Sequence, residues 1–191
     1  YAGRPLTALR GLDAERAPGT ERVLYLGSFS KVMFPGLRLG YLVVPRSLLA
    51  DFVAARRALD DHPSLVIQPA VARFMESGAF AAHVRRMRLL YGARQQHLLA
   101  AARRDLEGLL TLAPDDAGMH LLARPGPALA ANPDDVRLAA LAAAAQVSVT
   151  PLSEYYLDAR PQQGLLMGYA AVDGPAIDAA TRRLAGALRG A

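Results

Sequence analysis

The residue types with the most chemistry in them fall in one short stretch. Ser28, Ser30, Lys31 and Arg38 lie within Tyr25-Leu-Gly-Ser-Phe-Ser-Lys-Val-Met-Phe-Pro-Gly-Leu-Arg-Leu-Gly-Tyr-Leu-Val-Val-Pro45. Lys31 follows an apolar run on a loop of small residues, and Arg38 opens the next apolar run. Two hydroxyls, loop backbone N–H groups and a guanidinium beside one lysine can make a phosphate site next to an amine. An aldehyde cofactor with a phosphate handle needs that pairing, because the amine forms an imine while the phosphate is gripped alongside. Lys31 is also the only lysine among 22 basic residues. Where positive charge alone suffices this sequence uses Arg, so its one Lys is a candidate for amine chemistry. Ser-x-Ser-Lys with an Arg seven residues on is nevertheless short, and ordinary solvated loops carry it too.

Composition narrows the alternatives. The 191 residues carry 22 Lys+Arg and 17 Asp+Glu, giving 22 − 17 = +5. With 52% hydrophobic and 20% charged residues the chain is globular, and its length suits one domain or two small ones. The absence of Cys excludes disulfides, Cys-ligated zinc, iron–sulfur clusters and a thiol nucleophile. No metal site is expected. No apolar run reaches the length of a membrane span. A pI near 10 invites a nucleic-acid reading, but the Arg residues are scattered. Arg85, Arg86 and Arg88 read as the solvated face of a helix. The first methionine is Met33, so the chain is expected to be a piece of something longer or a processed product.

The elements that must position these residues can be read from periodicity. Residues 1–20 read as irregular. The run 23–26 reads as a buried strand, 27–36 as a loop and 37–44 as a second strand closed by Pro45. Helical patterns follow at about 45–60, 64–76 and 80–106, the second stopping at Ser77-Gly78. Then come strands at 109–112, 119–123, 147–150 and 165–171. A helix starts at Asn132-Pro133-Asp134-Asp135, and a last helix covers 173–189. The expected class is α/β followed by a small α+β domain. His120 reads as a packed strand residue and His62 as a turn. Tyr155 and Tyr156 read equally well as strand-end packing or as cleft residues.

The longer string is more specific than its four polar residues. Gly-Ser-Phe-Ser-Lys followed by Phe-Pro-Gly-Leu-Arg-Leu-Gly-Tyr-Leu-Val-Val-Pro closely resembles the lysine segment of fold type I pyridoxal-phosphate aminotransferases. It is most similar to the aminotransferase-like half of MocR-type regulators of the GntR subfamily. Tyr1-Ala-Gly-Arg-Pro-Leu-Thr-Ala-Leu, His83-Val-Arg-Arg-Met-Arg-Leu-Leu-Tyr91, Ala117-Gly-Met-His-Leu-Leu, Val149-Thr-Pro-Leu-Ser-Glu-Tyr-Tyr and Gln163-Gly-Leu-Leu-Met-Gly-Tyr-Ala extend the resemblance through the chain.

The resemblance implies that Lys31 is the Schiff-base lysine and that Ser28, Ser30 and Arg38 hold the phosphate of pyridoxal 5'-phosphate. Gly36 and Gly40 become positions of backbone shape. Residues 1–60 become the end of the cofactor-binding large domain, 61–108 the connecting helices and 109–191 the small α+β domain. Implied partners are a small-molecule amine or amino acid, as effector or substrate, and DNA only through a domain outside this chain. The intact protein is implied to be a cytoplasmic homodimer. The family's acidic partner of the pyridinium nitrogen and its ring-stacking aromatic lie upstream, so this chain alone is not expected to be a competent aminotransferase. Many relatives clamp the substrate carboxylate with an Arg on the last small-domain strand. Leu166 falls there in ungapped matching, and Arg160 falls in the preceding loop. That departure favours effector sensing over turnover. A genuine aminotransferase fragment and a ligand-free fold remnant are the alternatives.

Overall fold

The computed structural model describes residues 6–190 except 17, 20, 61, 63, 132 and 158–160. Tyr1, Asn132 and Arg160, all used above, lie outside that set. Two compact units are formed, residues 4–85 and residues 86–191.

The first unit holds α1 (Leu9–Arg16), β1 (Tyr25–Ser28), β2 (Gly40–Val43), α2 (Leu49–Asp60) and α3 (Ile67–Glu76). It also contains the start of the long helix α4 (Ala79–Asp105). Helix α1 corrects the irregular reading of residues 1–20. It has no buried residue and carries Gly11 in its interior, so neither propensity nor periodicity announces it. Its anchor is Asp13, whose carboxylate accepts the N–H of Arg22 at 2.6 Å and of Val23 at 2.9 Å. Those N–H groups, Val23 first, hold the Asp13 carboxyl below its ordinary pKa.

The strands β1 and β2 pair antiparallel, from Tyr25↔Val43 to Ser28↔Gly40. Strand β1 lies two residues later than the run 23–26, and β2 covers only four of the eight residues of the run 37–44. A 3-10 turn at Pro35–Leu37 and the left-handed backbone of Arg38 (φ 48°, ψ 37°) delay β2 to Gly40. The expected burial of the first run is also corrected. Leu26 is 72% and Leu42 52% exposed, so these apolar faces have no cover among the described residues. The stop at Ser77-Gly78 is confirmed. Gly78 has φ +76°, which only glycine adopts without strain, and α4 starts at the next residue.

The second unit is a four-stranded antiparallel sheet with helices. It contains the end of α4, β3 (Leu110–Leu112), β4 (His120–Pro125), α5 (Asp135–Ala144), β5 (Thr150–Pro151), β6 (Leu165–Gly168) and α6 (Gly174–Leu188). The strand order is β3-β4-β6-β5. Alternation sorts the two faces. Leu121 pairs Met167 and Ala123 pairs Leu165, all buried, and they pack with Leu98, Leu99, Leu138 and Leu184 from the helices. His120, Leu122, Leu166 and Gly168 alternate to the other face. His120 is therefore exposed, with its ring against Gly168, and is no core residue. Helix α5 starts within the expected stretch 132–135, with Asp134 as its cap. The Asp134 carboxylate accepts the Arg137 N–H at 3.0 Å, and Pro133 precedes the cap. Helix α6 begins where expected, with Asp173 as its cap, accepting from Ala176 N–H.

Asp135 organises one side of this unit. Fully buried at the start of α5, it accepts Ser153 N–H (2.9 Å), Ser153 O–H (2.5 Å) and Gly164 N–H (3.0 Å). Its own N–H donates to Gln163 Oε1 at 2.9 Å. One carboxylate thus ties helix α5 to both ends of the segment 153–164. Asp135→Ala should destabilise the protein by about 3 kcal/mol or more, because buried N–H donors lose a charged acceptor. The midpoint of urea unfolding measures this.

On the far side of α6, Arg104 bridges Asp105 (2.7 Å) and Asp178 (3.0 Å), and Thr181 donates to Asp105 at 2.6 Å. The hydrogen bonds from Arg104 and then Thr181 lower the Asp105 carboxyl from the usual 3.8 to about 2. Asp178 is lowered as well, chiefly by Arg104. A folded-state pKa below the unfolded value gives stability that is present above about pH 4 and lost as pH falls towards 2. Acid unfolding curves of the native protein and Asp105→Asn should therefore diverge above pH 4 and converge near pH 2.

Candidate functional site

The hairpin of β1 and β2 carries residues 29–39 between its paired ends, and the chemistry sits there. Glycines set how closely the strands approach. A Cβ on Gly40 would meet Gly27 O at 3.0 Å, and one on Gly27 would run into the Tyr41 ring. A Cβ on Gly36 would lie 2.5 Å from the Phe34 ring. Gly36 and Gly40 are thus positions of backbone shape, as the sequence suggested.

Beyond β1, Ser30 N–H donates to Ser28 Oγ at 3.2 Å. Phe29 N–H donates to Leu39 O at 3.0 Å, and Met33 N–H to Phe29 O at 2.9 Å. Lys31 therefore sits in a single helical turn closed from Phe29 to Met33, and its side chain is exposed. Phe29, buried at the turn's start, packs on Tyr41 at 5.5 Å and on Phe80 at 6.1 Å between ring centroids. Tyr41 also reaches Tyr25, whose hydrogen bond, reinforced by burial, pushes the Tyr41 phenol up.

Ser28, Ser30 and Arg38 line one open concavity of about 700 Å³, with Gly27, Gly40, Arg56 and Gln68. Lys31 is not on its wall but follows Ser30 directly. The described lining contains two arginines, three hydroxyls (Ser28, Ser30 and Tyr41) and an amide, and no Asp or Glu. That donor set suits a phosphate. It has no carboxylate to offer a pyridinium nitrogen. Sequence reasoning gathered Ser28, Ser30 and Arg38 but missed Arg56 and Gln68. Those two sit on α2 and α3, where nothing in their spacing distinguishes them from other solvated helix residues. On the second unit, Leu166 is half-buried on the outward face of β6, and Tyr155 is 65% exposed beyond β5.

A lysine turn, a phosphate-suited wall and a following α+β unit define a pyridoxal-phosphate transferase type of fold. Residues 5–184 match the aminotransferase class I and II family, and the chain belongs to it. The chain is 42% identical over 173 residues, 91% of its length, to the probable rhizopine catabolism regulatory protein MocR of Rhizobium meliloti, of which this covers 33%. It is 32% identical to the HTH-type transcriptional regulator YhdI of Bacillus subtilis, covering 88% of this chain and 34% of that one. Among solved structures, LysN, the α-aminoadipate aminotransferase of Thermus thermophilus, in complex with N-(5'-phosphopyridoxyl)-L-leucine, superposes with a TM-score of 0.86 at 28% identity. The superposition covers 99% of this chain and 47% of LysN. The chain spans about a third of the length of the curated regulators it matches.

Arg38 holds a left-handed conformation that costs an ordinary residue roughly 1–2 kcal/mol. Arg38→Gly removes that strain but loosens the unfolded chain. Stability should be unchanged or raised by up to about 1 kcal/mol, read as the thermal midpoint.

Proposed function

We propose that this chain is the carboxy-terminal portion of a pyridoxal-phosphate-binding, aminotransferase-like effector domain of a MocR-type transcriptional regulator. The observation that carries the reading is the carboxylate-free wall of Ser28, Ser30 and Arg38 immediately beside the chain's only lysine. Ser28 and Ser30 hydroxyls and the Arg38 guanidinium would hold the phosphate, and Lys31 Nζ would be the covalent anchor. When bound, the cofactor supplies an aldehyde that can exchange the lysine for another amine. Arg38 neutralises phosphate charge and, as a planar fork, fixes its orientation. Lys31 presents the amine from a short turn that returns it to one place whenever the link opens. The domain division 1–60, 61–108 and 109–191 belongs to this proposal.

Two features support sensing over turnover. Regulators stand among the relatives with the greatest identity, and by the resemblance Leu166 falls where many aminotransferases carry the Arg that clamps a carboxylate. An amine or amino-acid effector, DNA contact through a separate domain, a homodimer and a cytoplasmic location complete the reading. Among the described residues, no helix is long and apolar enough to cross a membrane. The alternative, a piece of a true amino-acid aminotransferase, is supported by the likeness to LysN.

In the intact gene product, borohydride reduction should fix pyridoxal phosphate to Lys31, and Lys31→Ala should abolish the product by peptide mass spectrometry. Promoter affinity, measured by fluorescence anisotropy, should shift with cofactor plus amine. Identical affinity under all conditions, together with transamination of an amino-acid panel, would select the enzyme.

A further inference from the structure

The lysine turn has a second hold from outside the hairpin. Helix α4 opens with Phe80 and His83 three residues apart, and so on one face. Both are half-buried, while Ala81, Ala82 and Arg85 beside them are exposed. Phe80 packs edge-on against Phe29, the first residue of the turn. His83 Nε2 lies 3.0 Å from Val32 O, the carbonyl next to Lys31. A carbonyl only accepts, so Nε2 carries the hydrogen and His83 donates. The ring is steadied by Phe74 at 6.5 Å, and Phe74 in turn by Phe80 at 6.4 Å.

This matters because the turn is short. An isolated helical turn fixes several dihedrals for one hydrogen bond and is unstable by itself. Met33 N–H to Phe29 O closes it from within. The His83 bond ties down a carbonyl of the turn, on the residue that follows the amine-bearing one. Phe80 fixes the turn's start and His83 its end, so Lys31 hangs from a backbone held at both sides.

We propose that His83 is a positioning residue for Lys31, acting through its Nε2–H bond to Val32 O to keep the lysine turn formed. The inference rests on the reading of Lys31 as the cofactor anchor, and its consequence is faster and tighter attachment of an aldehyde at Nζ.

The test uses the intact gene product with His83→Phe, which keeps a ring against Phe74 but loses the donor, and His83→Gln, which keeps a donor. Hydrogen exchange of the Met33 amide in cofactor-free protein reads the turn itself. Borohydride trapping of pyridoxal phosphate on Lys31 reads the attachment rate. His83→Phe should speed Met33 exchange and slow attachment by roughly three- to ten-fold each, the size of one net hydrogen bond. His83→Gln should recover most of both, and the thermal midpoint of the Phe variant should stay near the native value. Native exchange and attachment in His83→Phe, or equal loss in both variants, would overturn the proposal. If the native protein never traps cofactor on Lys31 while Met33 exchange still follows the His83 donor, the anchor reading fails and the hold on the turn stands.

Discussion

Everything chemical in the first unit depends on the register of one short ribbon. Ser28 pairs with Gly40, and that pairing decides which side chains of residues 29–39 meet. A slip of one residue would turn every side chain of a strand to the opposite face. Gly27 and Gly40 guard against it from both strands. One lies beneath the Tyr41 ring, and the other approaches a carbonyl so closely that a Cβ would force a shift of a few tenths of an ångström. The register therefore rests on the absence of two side chains and the presence of one aromatic ring. Ser28, Ser30 and Arg38 share a wall because this register brings the two ends of the loop together.

The strain at Arg38 belongs to the same constraint. A left-handed residue ends the 3-10 turn and lets the chain re-enter extended geometry at Gly40. Glycine would meet that conformational demand more cheaply, yet the sequence places a guanidinium there. On the proposed reading the side chain is the reason the conformation is tolerated. The same economy is visible in Lys31, the single departure from an otherwise all-Arg basic set.

The sequence made helices more legible than strands. Asp173, Ser77-Gly78 and the acidic start of α5 marked helix ends because capping is local chemistry. The four strands of the small sheet were legible as short runs, while their order in the sheet was not. What escaped was non-local. Helix α1 is anchored by Asp13 reaching residues on the far side of a loop, a contact with no periodicity. The run around Leu26 looked buried because hydropathy records what a strand can cover, not whether the cover is present. The three phosphate-suited residues of one loop could be named from sequence. Arg56 and Gln68 could not, since only folding brings α2 and α3 to that wall.

The buried carboxylate of Asp135 has a consequence beyond stability. Ser153 and Gly164 meet on one side chain, and Leu152 N–H closes onto Gly164 O at 2.8 Å, so the chain between them leaves and returns through a fixed neck. A connection that leaves and returns through such a neck can be lengthened at little thermodynamic cost. Doubling a flexible loop adds only about 0.6 kcal/mol of closure entropy. Tyr155 and Leu157 stand in that excursion, both exposed and answerable to no core. Tyr155 and Leu157 can thus be exchanged for other side chains while the sheet and helices that carry them stay unchanged.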